Sequence, residues 1–322
     1  MNTRHFLIST TTCICILLFS AKSLAFDLIA HRGASGFLPE HSKEALVLAF
    51  MQGADYIEQD LVLSRDNELI VLHDIHLENV TNVEVLYPQR KRKDGRWYAI
   101  DFTLDELRSL SLHERTNSDG KLVFANRYQG AAHFTVSTFA EHVELVSELN
   151  RQLNKNVGLY PEIKSPAWHL EEGKDIASLL VDELNRLSLN SKDARIFVQS
   201  FEPESLKRLK FELGAKTKLV QLIADNSWGE SLTDYNALQT SEGLQNIASY
   251  ADGIGPWLPQ VYDFKSQQPT ALIKRAKVQG LLIHPYTFRT DVIDKPEQAF
   301  EALKSLAVDG VFSDQIMPYM LK

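Results

Sequence analysis

Four short runs carry side chains that could do chemistry together: His31-Arg32-Gly33, the pair Glu58 and Asp60, His73-Asp74, and the pair Glu162 and Lys164. Each lies within or at the end of an apolar run. Glu58 and Asp60 stand two apart, so in an extended strand their side chains share one face, and the same spacing joins Glu162 to Lys164. Carboxylates converging in one pocket repel each other by roughly several kcal/mol unless they are protonated or bound to a cation. An all-oxygen donor set favours calcium or magnesium, because zinc would be expected to recruit His or Cys. Taken singly, either pair also fits a rim salt bridge, for instance Glu162 with Lys164 or Arg32. His31 and His73 can exchange protons near neutral pH. A lone histidine at a strand end is usually structural, but two beside a carboxylate cluster and an arginine suit a general acid and a general base. Arg32 adds a fork of N–H donors matched to a phosphate.

These residues need a frame that brings strand ends together. Apolar runs recur at Asp27 to His31, Tyr56 to Leu63, Leu69 to His73, Val157 to Lys164, Arg195 to Phe201, Lys218 to Ala224, Gly253 to Trp257, Leu281 to Tyr286 and Gly310 to Ser313. Amphipathic stretches alternate with most of them, at Lys43 to Gln52, Phe139 to Leu153, Asp175 to Leu187, Pro203 to Leu213, Leu244 to Tyr250, Ala271 to Val278 and Pro296 to Leu306. Such alternation calls for a parallel sheet, and about eight strands over this length fit a (β/α)8 barrel. No Gly-x-Gly-x-x-Gly follows the first run, which lowers the dinucleotide-binding alternative. In a barrel of this type the chemistry sits at the carboxyl ends of the strands. The polar residues there include Glu40-His41, Gln199-Ser200, Trp257, His284, Tyr286 and Asp314, while Trp257, Tyr286 and Phe288 fit packing and substrate walls equally well.

From about residue 75 to 136 the rhythm breaks. The segment is polar, with a basic run from Gln89 to Lys93 and one amphipathic piece from Leu104 to Leu110, and reads as a small insertion on the barrel rim. Its basic run fits a solvated face better than a binding patch.

The chain has 322 residues, 44% hydrophobic and 24% charged, with 34 basic against 42 acidic residues. The net charge of −8 disfavours nucleic acid or an anionic membrane as main partner, so attraction to an anionic substrate must be local. Residues 1–25 read as an export signal: Arg4, an apolar stretch from Ile14 to Phe19, and Ser23-Leu24-Ala25 before the cut. The apolar core is too short to span a bilayer comfortably, so no membrane anchor is expected after cleavage. Both cysteines, Cys13 and Cys15, fall inside this segment, which leaves residues 26–322 without a disulfide.

The runs LIAHRGASGFLPEHS, GADYIEQDLVLS, IVLHD, GLYPEIKSP, ADGIGP, IHPYTFR and DGVFSDQ, in that order, resemble the bacterial periplasmic glycerophosphodiester phosphodiesterases. The resemblance covers nearly all of residues 26–322. It implies a β/α barrel with a small insertion after the early strands, a divalent cation (calcium before magnesium), a periplasmic location, and hydrolysis of deacylated phospholipids to glycerol 3-phosphate and an alcohol. Carried over position by position, it makes His31 and His73 catalytic, with His73 leaning towards the acid. Arg32 becomes the phosphate clamp, Glu58, Asp60 and Glu162 the metal ligands, and Lys164 a phosphate or substrate contact. Ser42 stands where many relatives have Thr and is given no catalytic role; Glu40 is either a supporting partner or a helix-start residue. The competing readings are a phospholipase C-like or D-like barrel acting on intact lipids, which should show an apolar rim, and a binding protein for phosphate esters, which gives two histidines no work.

Overall fold

The computed structural model describes residues 26–321; the expected export segment, with Cys13 and Cys15, lies outside the described residues. Strand β1 (Asp27–Ala30), helix α1 (Lys43–Gln52) and strand β2 (Tyr56–Leu63) open the fold. After a long excursion come α2 (Phe139–Leu153), β3 (Gly158–Ile163), α3 (Ile176–Arg186), β4 (Phe197–Ser200), α4 (Pro203–Phe211) and β5 (Lys218–Ile223). The chain ends with α5 (Ser241–Tyr250), β6 (Gly253–Pro256), α6 (Ala271–Val278), β7 (Leu282–Ile283), α7 (Pro296–Lys304) and β8 (Gly310–Ser313). Parallel pairs run from β8 through β1, β2, β3, β4, β5 and β6 to β7. Between β7 and β8, Phe312 N–H donates to the Pro285 carbonyl at 3.0 Å and Phe288 N–H to the Phe312 carbonyl at 2.7 Å. The result is a nearly closed eight-stranded parallel barrel ringed by helices, the (β/α)8 architecture that the alternation predicts.

One predicted strand has a different place. Leu69–Val71 pairs antiparallel with β2, Leu63 opposite Leu69, and does not join the barrel. The reason is length: a parallel crossover needs a dozen or so residues. Here only a tight turn at Ser64–Glu68 intervenes, with Asn67 at φ 66° and Ser64 N–H donating to the Glu68 carbonyl at 3.1 Å.

Helix starts are locally encoded. Ser42 accepts from Ala45 N–H at 3.1 Å and caps α1, which accounts for that hydroxyl without catalysis. Thr138 and Glu141 form a reciprocal capping box on α2, and Pro203 occupies the first turn of α4. Among the described residues no helix is long and apolar enough to cross a membrane.

The barrel interior is filled by Ile29, Tyr56, Tyr160, Phe197, Val220 and Phe312. Tyr160 stacks on Phe197 at 4.8 Å and meets Phe312 edge-on at 4.9 Å. Small residues admit these rings: a Cβ on Gly158 would come within 2.4 Å of the Tyr56 ring. The excursion after Leu69–Val71 is less polar than its composition suggests, for it builds a second core from Leu77, Val80, Val83, Trp97, Phe102, Leu107, Leu110, Phe134 and Val136, resting on Val62 and Ile70. Both arginines of its basic run are engaged in ion pairs: Arg90 with Glu106 at 2.9 Å, and Arg92 with Asp101 at 2.7 Å and Glu172 at 2.8 Å.

Since Phe197 is 2% exposed among aromatic neighbours that cannot collapse into its space, Phe197→Ala should lower unfolding free energy by about 3–5 kcal/mol. Urea denaturation followed by circular dichroism measures this. Phe197→Leu should lose clearly less, and equal midpoints for wild type and the Ala variant would contradict a packed barrel interior.

Candidate active site

The register of the barrel gathers the acidic side chains. Asp60 of β2 lies opposite Glu162 of β3, and Glu162 opposite Gln199 of β4. Glu58, two residues before Asp60 on the same face, accepts from the backbone N–H of Arg32 at 2.6 Å. Arg32 itself stands at φ 58°, a left-handed conformation that costs energy for a non-glycine residue and is held by its surroundings. Gly33 follows at φ 77°, where a Cβ would meet the α1 backbone at 2.9 Å, so glycine is needed for β1 to turn into the site.

Cations surround the carboxylates. Arg32 reaches Glu40 at 3.0 Å and Asp60 at 3.4 Å, and Lys164 reaches Glu162 at 2.8 Å and Asp60 at 3.9 Å. His41, buried, donates from Nε2 to Asp60 at 2.7 Å. Glu58, Asp60 and Glu162 are all buried, but they do not ionise alike. Burial, reinforced by Asp60, pushes Glu58 well above the carboxylate range. Burial likewise lifts Glu162 to about 8, against the pull of Lys164. Asp60 overcomes its burial through His73, Lys164 and His41 and stays well below the ordinary value.

Both histidines are anchored at Nδ1. His31 donates to Asp314 at 2.6 Å and His73 to Asp74 at 2.5 Å, which leaves each Nε2 with its lone pair. Burial and then Arg32 lower His31 to about 4; burial, Arg32 and Lys164 lower His73 to about 3. Lys164 Nζ lies 3.5 Å from His73 Nε2. The two anchoring carboxylates are in turn gripped by arginines from the excursion. Arg115 donates to Asp74 at 2.6 Å while holding Glu40 at 2.6 Å, and Arg127 donates to Asp314 at 2.6 Å. Arg289 completes the Asp314 cluster at 3.0 Å.

His31, Arg32, Glu58, His73 and Glu162 line one cavity of about 350 Å³ with Phe201, Trp228, Glu230, Trp257 and Tyr286. Asp60 and Lys164 sit just behind it through the contacts above. All seven residues singled out from the sequence therefore meet in one place. Of the aromatic residues left open, Trp257 and Tyr286 face the cavity, whereas Phe288 is fully buried against Phe300 at 5.7 Å. Glu40 is a supporting partner, held between Arg32 and Arg115.

Sequence reasoning gave no role to His41, Asp314, Arg115, Arg127, Arg289, Trp228 or Glu230. His41 and Asp314 had a usable signal, since both follow strand ends. Arg115 and Arg127 had none: they lie in a loop-rich polar segment where no periodicity marks a site.

A divalent cation fits this donor set. Three buried carboxylates, two of them lifted towards the protonated form, are what a cation would relieve. His41, Glu58 and Asp60 offer ligand atoms within 4.8 Å of one another. His41 Nε2 is committed to Asp60, however, so the carboxylates remain as the oxygen donors: Glu58 and Glu162 line the cavity and Asp60 lies behind them.

Residues 31–317 match the model of the glycerophosphoryl diester phosphodiesterase family. A glycerophosphodiester phosphodiesterase of Haemophilus influenzae is 38% identical over 315 residues, covering 89% of this chain and 86% of the relative. One from Treponema pallidum is 39% identical over 247 residues, covering 71% and 69%. A putative glycerophosphoryl diester phosphodiesterase from Silicibacter pomeroyi shares the fold at a TM-score of 0.71 and 19% identity over 92% of this chain and 93% of that one. An Oleispira antarctica phosphodiesterase, solved with the product sn-glycerol-3-phosphate, does so at 0.62 and 20% over 91% and 94%.

Glu162 holds its proton up to about pH 8 in the folded, cation-free protein, against an ordinary value of 4.5. The unfolded chain loses that proton first, so the stability contributed by this group falls as pH rises through that window. Calcium added to chelator-treated protein should therefore raise Tm by several degrees near pH 8 and much less near pH 5. Glu162→Gln should shrink the difference. Differential scanning fluorimetry measures it, and equal shifts at both pH values would remove these carboxylates as the binding site.

Proposed function

The chain belongs to the glycerophosphoryl diester phosphodiesterase family, and from that premise we propose that it hydrolyses glycerophosphodiesters, such as glycerophosphocholine and glycerophosphoethanolamine, to sn-glycerol 3-phosphate and an alcohol. One observation carries the reading: two histidines, each tied at Nδ1 to a carboxylate, turn their Nε2 atoms to the same cavity as an arginine and a set of buried carboxylates.

The phosphate monoanion is gripped by Arg32, with Lys164 as the second contact. Glu58, Asp60 and Glu162 would hold the divalent cation, which we take as calcium first and magnesium as the alternative because the carboxylate donors are oxygens. When bound, that cation supplies positive charge at the phosphate and offsets the carboxylates. His41 fixes Asp60 from behind. One histidine accepts the proton of the nucleophile, either water or the substrate's own 2-hydroxyl, and the other protonates the departing alkoxide; the 2-hydroxyl route gives a cyclic phosphate that a water molecule then opens to glycerol 3-phosphate. We assign the acid to His73 and the base to His31. Arg32 and Lys164 are the two charges that depress His73, and a bound phosphate neutralises both, so substrate binding itself favours proton uptake there. At His31 only Arg32 is neutralised, while Arg289 continues to disfavour the charged form.

Export belongs to the same proposal. The basic start, short apolar stretch and small-residue cleavage site in residues 1–25 support delivery to the periplasm as a cleaved protein of residues 26–322. Fractionation of cells expressing the full chain, with the size of the periplasmic species measured, tests this.

Purified protein given glycerophosphocholine and calcium should release glycerol 3-phosphate, and excess chelator should abolish it. His31→Ala and His73→Ala should each lower kcat about 10²-fold or more. A diester with a nitrophenol leaving group needs little protonation, so His73→Ala should be largely rescued on it and His31→Ala should not. The opposite pattern would exchange the two roles, and near wild-type rates for both variants on glycerophosphocholine would remove the histidine mechanism.

A further inference from the structure

The wall opposite the histidines is unlike the rest of the cavity. It consists of Phe201, Leu222, Trp228, Trp257 and Tyr286, with one acidic residue, Glu230. Tyr286 offers little to a polyol, since its hydroxyl already donates to the Ile223 carbonyl at 3.0 Å. Trp228 and Trp257 meet at 5.1 Å with their planes 69° apart, so the two rings form a corner with π faces on two sides. The corner is held by its backbone. Asp225 accepts from Ser227 N–H at 2.9 Å and Oγ at 2.7 Å in the turn that carries Trp228, and Gln260 accepts from Trp257 N–H at 3.0 Å. Trp228 is 44% exposed, which places this corner at the mouth.

Glu230 follows Trp228 across Gly229, whose φ of 68° turns the chain back towards the cavity. Among the described residues its carboxylate has no hydrogen bond or salt bridge, although its field reaches Lys164 and Tyr286. An unpaired carboxylate beside two perpendicular indole rings disfavours an anion or a bare apolar chain and suits an organic cation, which gains from the ring quadrupoles and from the charge together. The phosphate is already provided for on the other wall, so the cation in question is the far end of the leaving alcohol.

We propose that Trp228, Trp257 and Glu230 form a subsite for the ammonium group of the alcohol, so that glycerophosphodiesters of choline or ethanolamine are taken in preference to those of neutral polyols. The inference rests on the phosphodiesterase reading and adds a preference among the leaving groups that reading admits. Neutral diesters remain substrates, because the groups that act on phosphorus lie on the opposite wall; they lose only the affinity that the corner adds.

The test compares kcat/KM for glycerophosphocholine and glycerophosphoglycerol in wild type, Trp228→Ala, Glu230→Gln and Glu230→Lys. The choline-to-glycerol ratio should fall about tenfold in Trp228→Ala and Glu230→Gln, the usual scale of a partly desolvated cation–π contact or its charge partner, and further in Glu230→Lys. Tetramethylammonium should inhibit wild type competitively and the variants more weakly. An unchanged ratio in all three variants, with equal losses on both substrates or none, would overturn the subsite while leaving the phosphodiesterase reading intact. Absence of turnover on either substrate by wild type would instead overturn that reading. Calorimetric binding of glycerophosphocholine and tetramethylammonium would then still judge the subsite by whether affinity falls selectively in the variants.

Discussion

The constraint on which the structure turns is the burial of three carboxylates, Glu58, Asp60 and Glu162, at the end of two neighbouring strands. Ions of like charge do not gather in a low-dielectric site unless something opposes them. Here the opposition is distributed: Arg32 donates to Glu58 through its backbone and approaches Asp60 through its side chain, Lys164 lies between Glu162 and Asp60, and His41 bonds Asp60. Even so, Glu58 and Glu162 remain displaced towards their protonated forms. The donor set thus fits a cation, whose charge would offset the repulsion that an anionic substrate would meet in a protein of net charge −8. The left-handed turn at Arg32-Gly33 lies at the same place, between the backbone N–H that Glu58 accepts from and the start of the path to Glu40.

The excursion between β2 and α2 serves the site without covering it in basic charge. It has its own apolar core resting on the barrel, and from it two arginines reach inward. Arg115 holds Asp74, which holds His73; Arg127 holds Asp314, which holds His31. Each histidine is thereby fixed in one tautomer by a carboxylate that cannot swing away. Both arginines come from the excursion and the two carboxylates from separate segments, so the excursion ties together the supports of the two histidines. In the basic run at Gln89 to Lys93, Arg90 and Arg92 are engaged in ion pairs with Asp101, Glu106 and Glu172.

What the sequence determined by itself was whatever depends on local periodicity and on residue type at strand ends. Glu58 and Asp60 share a face because a strand repeats every two residues, and helix α1 begins at Ser42 because the cap is local. Alternation of apolar runs with amphipathic stretches specified the barrel, and the ordered motifs from His31 to Asp314 supplied the chemistry that composition alone would not. Tertiary structure decided whatever depends on separations of tens to hundreds of residues. It moved Leu69–Val71 out of the barrel, for a five-residue turn leaves no room for a crossover. It paired Arg127 with Asp314 across 187 positions and Arg115 with Glu40 across 75, and it set Trp228 against Trp257 from the ends of adjacent strands. No periodicity encodes such contacts. They arise when closure of the barrel brings the strand ends to one rim, and that closure is a property of all eight strands together.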